Sequence, residues 1–143
     1  MAQVTQSVLV AHAAQQMFDL VADVASYPKF LPWCGGAVVS ESSDRTMLAS
    51  LTIAFKGIRQ SFTTQNLHDP GQRIAMRLVD GPFSELSGAW VFTALSDSAC
   101  RIDFQLDYHF SSIIVEKVLG GVFDSIARSF VDAFLRRAEE LYG

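Results

Sequence analysis

From Arg101 to Phe110 the chain reads RIDFQLDYHF, and directly after it the period changes. In that stretch Ile102, Phe104, Leu106, Tyr108 and Phe110 point one way, and Arg101, Asp103, Gln105, Asp107 and His109 the other. Unbroken alternation of this kind predicts a strand with one wet face and one buried face, as in an antiparallel sheet. From about residue 112 to 142 the apolar residues return at helical spacing: Ile114, Val118, Val122, Phe123, Ile126, Phe130, Phe134 and Leu141 form one stripe. At ~1.5 Å per residue this helix is about 45 Å long. A one-sided sheet and a one-sided helix must bury their apolar faces somewhere, and each supplies what the other lacks.

The rest of the chain fits that arrangement. Residues 3 to 11 predict an opening strand, and residues 13 to 24 an amphipathic helix through Ala13, Met17, Leu20, Val21 and Val24. Pro28 disfavours helical geometry at Tyr27, so the first helix must end near Ala25. Ser26 is positioned to cap a second short helix with Pro28 in its first turn. From about 36 to 111 the period is two, with turns expected at Gly57, at DPGQ (69–72) and at DGPF (80–83). The order is strand, two short helices, further strands and one long helix. It predicts an α+β fold in which a twisted antiparallel sheet of six to seven strands wraps around a long C-terminal helix. No repeat or linker interrupts it, and residues 1–143 are read as one domain. Gly120-Gly121 lies within the long helix, either as a close-packing point on the sheet or as a kink facing a cavity.

Half of the 143 residues are hydrophobic and 18% are charged, an apolar balance for a soluble domain. The excess is available to line a cavity. The net charge of −4 argues against a bulk electrostatic grip on nucleic acid, and DNA is not expected as a partner. The start MAQVTQSVLV lacks the basic and long apolar regions of a secretory leader. No apolar run reaches the length of a membrane span. A cytoplasmic location is expected, with peripheral contact at the inner face of a membrane open to it. Cys34 and Cys100 are expected to be buried, reduced thiols.

The chain offers little reactive chemistry. His12, His68 and His109 have no partner at metal-ligand spacing, and no phosphate-binding or nucleophile-elbow motif is present. Asp107, His109 and Ser111 share a strand face, but successive same-face residues stand ~7 Å apart, too far to work as a triad. An enzyme on this scaffold would need a polar pair inside the pocket, with Glu85, Asp80 and Tyr108 as its best members. No metal, cofactor or catalytic set is expected. What remains is apolar concavity, and the candidate ligand-binding residues are Phe55, Phe83, Trp90, Phe104 and Tyr108 from the strands, with Phe123 and Phe130 from the helix. The segment DVASYPKFLPWCGG (23–36) adds Tyr27, Phe30, Leu31 and Trp33 as a proline-stiffened lid. Under the lid reading, Trp33→Ala weakens ligand retention far more than fold stability.

DVASYPKFLPWC (23–34), LVDGPF (78–83) and CRIDFQLDYHF (100–110) resemble the bacterial relatives of the mitochondrial coenzyme Q-binding START-domain proteins, and among them the branch of ribosome association toxins. The similarity runs from about Val4 to Tyr142. It implies the helix-grip fold of START and polyketide-cyclase-like proteins. It also implies non-enzymatic binding of ubiquinone or a similar polyprenyl lipid in the cavity, in support of respiration. The alternative it implies is a toxin of a toxin–antitoxin system that binds the large ribosomal subunit and blocks subunit association. A polyketide-cyclase-like activity ranks third.

Overall fold

The computed structural model describes residues 2–143. Seven strands form one antiparallel sheet: β1 (Ala2–Val10), β2 (Cys34–Ser42), β3 (Thr46–Phe55), β4 (Ile58–Asp69), β5 (Arg73–Asp80), β6 (Phe83–Ser96) and β7 (Ala99–Phe110). Their order is β1-β7-β6-β5-β4-β3-β2. Strands β2 to β7 are therefore a plain meander, and only β1 pairs with a strand distant in sequence. Two helices complete the fold, α1 (Ala14–Ala22) and α2 (Ile113–Tyr142). This is the helix-grip arrangement expected from the period changes.

Local chemistry sets the register. The β3–β4 hairpin turns on Lys56 and Gly57, both at positive φ (50° and 80°), the geometry of a two-residue turn whose twist matches the flanking strands. That turn pairs Phe55 with Ile58 and, further along, Met47 with Asn66. At the start of α2 the Ser112 hydroxyl accepts a hydrogen bond from the Val115 amide at 3.1 Å, capping one of the free donors of the first turn.

The core lies between the inner face of the sheet and α2. From the sheet come Val4, Ala49, Ile53, Ile74, Trp90, Phe104 and Leu106, and from the helix Leu119, Phe123, Ile126, Val131 and Phe134, all buried. The buried stripe of α2 differs at its ends from the one read in the sequence. Ile114, Val118 and Leu141 are more than half exposed, and Leu119, Ala127 and Ala138 are buried in their place. Helical spacing alone does not say where a helix overhangs its sheet. The helix runs unbroken through Gly120-Gly121, so there is no break. A Cβ at Gly121 would meet nothing within 4 Å, and one at Gly120 would make only ordinary contacts with Glu116 and Phe110. Neither glycine is needed for close packing on the sheet.

Between α1 and β2 the chain forms a 3-10 turn from Val24 to Lys29, with Pro28 inside it. It begins two residues before the expected cap. Ser26 lies within it and donates its hydroxyl hydrogen to Asp23 at 2.6 Å rather than capping a new helix.

Candidate functional site: an apolar cavity with one polar wall

A mostly enclosed cavity of about 50 Å³ lies between the sheet and α2. Val24 and Tyr27 wall it from the 3-10 turn. Residues from β3 to β7 wall it from the sheet, and Phe123, Ile126, Ala127 and Phe130 from α2. Five of the eleven residues nominated from the sequence stand in this wall: Tyr27, Trp90, Phe104, Phe123 and Phe130. Trp90 and Phe104 face each other across β6 and β7 with ring centres 4.5 Å apart, as their register partnership requires.

The other six are elsewhere. Phe83 and Tyr108 belong to an aromatic cluster at one end of the core, where Phe83 stacks on Phe110 at 5.2 Å and both Phe83 and Tyr108 meet Phe123 edge-on at 4.9 and 4.8 Å. Phe55 sits half-buried at the hairpin tip under the Lys56 ammonium. Phe30, Leu31 and Trp33 are packed on α2. Trp33 stacks on Phe130 at 5.3 Å, Phe30 meets Phe134 edge-on at 5.3 Å, and Leu31 is buried. Tyr27 joins them. Its hydroxyl donates to the Val21 carbonyl at 2.5 Å, and burial, followed by the nearby Asp23 charge, pushes its phenol pKa up. The 27–33 segment is thus a latch between α1, α2 and the start of β2, with Tyr27 alone reaching the cavity.

The polar residues named for a cyclase do not converge. Asp80 and Glu85 are exposed. Tyr108 is buried and donates to the Asp124 carboxylate at 3.2 Å, while Arg128 Nε donates to the other oxygen of that carboxylate at 2.9 Å. Burial first, and then Asp124, push the Tyr108 phenol up to about 12, so it stays a donor at neutral pH. Among the described residues no three His, Cys, Asp or Glu side chains gather as a metal site.

Sequence reasoning missed the inner face of β4. Phe62, Thr64, Asn66 and His68 all face inward and are buried, whereas Leu67 between the last two is 54% exposed. Apolar periodicity reads that stretch backwards. The signal that finds it is the two-residue turn: once Phe55 pairs with Ile58, inward Met47 must oppose Asn66 and inward Ala49 must oppose Thr64. Thr64 donates to Asn66 Oδ1 at 2.8 Å, and both line the cavity.

His68 stands behind them, edge-on to Phe18 of α1 at 5.7 Å, and its Nε2 is buried without a partner. Burial holds its imidazole pKa below the ordinary value. The sign follows directly. As pH falls through about 6.5 the unfolded chain takes up a proton that the folded ring refuses. The stability that the neutral ring permits is therefore complete above that pH. It declines below it, and levels off once the folded ring titrates. Urea midpoints at pH 7.5 and 5.5 are expected to fall more for the parent protein than for His68→Leu; an equal fall in both would show that His68 does not carry the effect.

A concave antiparallel sheet closed by one long C-terminal helix over an apolar cavity defines a helix-grip protein. The chain belongs to the polyketide cyclase/dehydrase and lipid transport family, whose sequence profile matches residues 10–135. It is 48% identical to the ribosome association toxin RatA of Vibrio cholerae over 143 residues, covering 100% of this chain and 99% of that one. It is 46% identical to RatA of Escherichia coli K12 over 142 residues, with 99% and 90% covered. The mitochondrial coenzyme Q-binding protein COQ10 homolog B of Xenopus laevis is 27% identical, with 97% of this chain and 59% of that one covered. Among solved structures, the Zhui aromatase/cyclase of Streptomyces sp. R1128 superposes with a TM-score of 0.84 at 20% identity over 96% and 93% of the two chains. That likeness concerns the fold alone. The 18 kDa protein CC1736 of Caulobacter crescentus superposes with a TM-score of 0.77 at 29% identity over 100% and 99%.

Proposed function

We propose that this protein acts without catalysis on the ribosome, binding the large subunit and blocking its association with the small one. The observation that carries this reading is the end-to-end correspondence, at 48% identity, with a relative named as a ribosome association toxin. The interior supports a non-catalytic role, because its buried polar groups are engaged in packing and no acid–base pair faces the cavity. The cavity also favours this reading over polyprenyl-quinone binding. At about 50 Å³ it is several-fold smaller than the roughly 300 Å³ at which pockets begin to hold drug-sized ligands. With a net charge of −4, the contact would rest on protein or on local basic residues rather than on a general attraction to RNA. The proposed site of action is the cytoplasm, and no described helix is long and apolar enough to cross a membrane.

The test uses purified protein and salt-washed ribosomal subunits under conditions that support joining. In a sucrose gradient the joined-ribosome peak is expected to shrink as protein is added, with protein travelling in the large-subunit fractions. An undiminished peak with the protein left at the top of the gradient would overturn the proposal.

A second reading is binding of a small hydrophobic ligand in the cavity. The specific observation in its favour is that the cavity has apolar walls except for Thr64 and Asn66.

A further inference from the structure

Thr64 and Asn66 are buried, at 7% and 6% exposure, on a face shared with Trp90, Phe104 and Phe123. Buried polar groups nearly always find partners, and each exception calls for a cause. Thr64 has spent its hydroxyl hydrogen on Asn66 Oδ1. The Asn66 amide nitrogen carries two hydrogens and has no acceptor among the described residues. The other polar group at the cavity, the Tyr27 hydroxyl, is already committed to the Val21 carbonyl. A donor therefore faces an enclosed space whose remaining surface is carbon.

Water is a poor occupant of such a space. A buried water needs two to four polar partners. Here it would find the Asn66 amide and, at most, a lone pair on Thr64. An apolar body with one hydrogen-bond acceptor suits both parts of the wall. Its body meets Leu51, Trp90, Leu106 and Ile126, while its acceptor takes an Asn66 hydrogen. The volume limits that body to about the size of one ring, and a polyprenyl chain is too large. Met76 is the adaptable part of the wall, half-buried and opposite Asn66 in the β4–β5 register.

We propose that Asn66, held by Thr64, is the polar anchor of a ligand site for a small, ring-sized, mainly apolar molecule bearing one carbonyl-type acceptor. The inference rests on the ligand-binding reading and is independent of the ribosomal one. Asn66 fixes the orientation of the ligand and selects it over a plain hydrocarbon.

The experiment titrates the protein with acetophenone and with ethylbenzene, two probes of similar size that differ in the acceptor. Occupancy is followed at the Met76 methyl resonance and hydrogen bonding at the Asn66 side-chain amide. Acetophenone is expected to bind at least about tenfold more tightly, the equivalent of one net hydrogen bond, and to move the Asn66 amide protons, which ethylbenzene leaves in place. Asn66→Leu is expected to abolish the preference while keeping ethylbenzene binding. Equal affinities in the parent protein, or a preference that survives Asn66→Leu, would overturn the anchor and leave the ligand-binding reading standing. Binding of neither probe would overturn both. If Asn66→Leu does not fold, the parent comparison with the amide shift decides alone.

Discussion

Trp33→Ala is expected to lower the unfolding free energy by about 3–5 kcal/mol, the range for removing a large aromatic from a core. Trp33 is 4% exposed, its ring lies on Phe130, and its carbonyl accepts the Ala54 amide of β3 at 2.7 Å. Truncation would open a void between α2 and the start of β2, in a segment whose backbone is tied to β3 and cannot collapse freely. This reverses the expectation for a lid, where the tryptophan would guard a ligand and matter little to the fold. Urea denaturation separates the two. A loss under about 1 kcal/mol would return the segment to the role of a lid, since a residue whose burial matters only with ligand present leaves the empty protein nearly as stable.

Gly88→Ala is expected to cost about 2–3 kcal/mol, near the upper end for an overpacked interior. A Cβ at this position would come within 2.5 Å of the Gln105 carbonyl oxygen and 3.3 Å of the Leu106 Cα. Both belong to the backbone of β7, which is held on its far side by β1 through pairs such as Thr5 with Gln105. A strand paired on both edges has no room to step away. If thermal unfolding of Gly88→Ala matches that of the parent within a degree or two, β6 and β7 are more pliable than this close approach implies.

The architecture was legible because its main signals are periodic. The alternation in 101–110 identified β7 with its inward face correct at every position, and the same parity placed Trp90 and Phe104 on one wall. The helical stripe located α2 to within a residue at its start. Legibility stopped where polarity and burial part company. In β4 the inward residues Thr64, Asn66 and His68 are polar and outward Leu67 is apolar, so the cavity's only hydrogen-bonding wall looked like a solvent face. The aromatic segment 27–33 failed for another reason. Its composition shows that it is buried, but composition does not tell packing on a helix from closure over a space. That difference rests on Phe130 and Phe134, a hundred residues downstream.

The position of β1 has a consequence for how the protein is made. Its partner, β7, leaves the ribosome about a hundred residues later, and Gln3 must wait for Asp107. At ~5–20 residues per second this delay is roughly 5–20 s. The meander from β2 onward can add one neighbour at a time during that interval. Val4, Val8 and Val10 meanwhile have no sheet to join, and the core-forming face of α2 does not yet exist. The newborn chain thus carries an unpaired apolar strand at its leading end until translation is almost complete, and the strand made first is among the last to be placed.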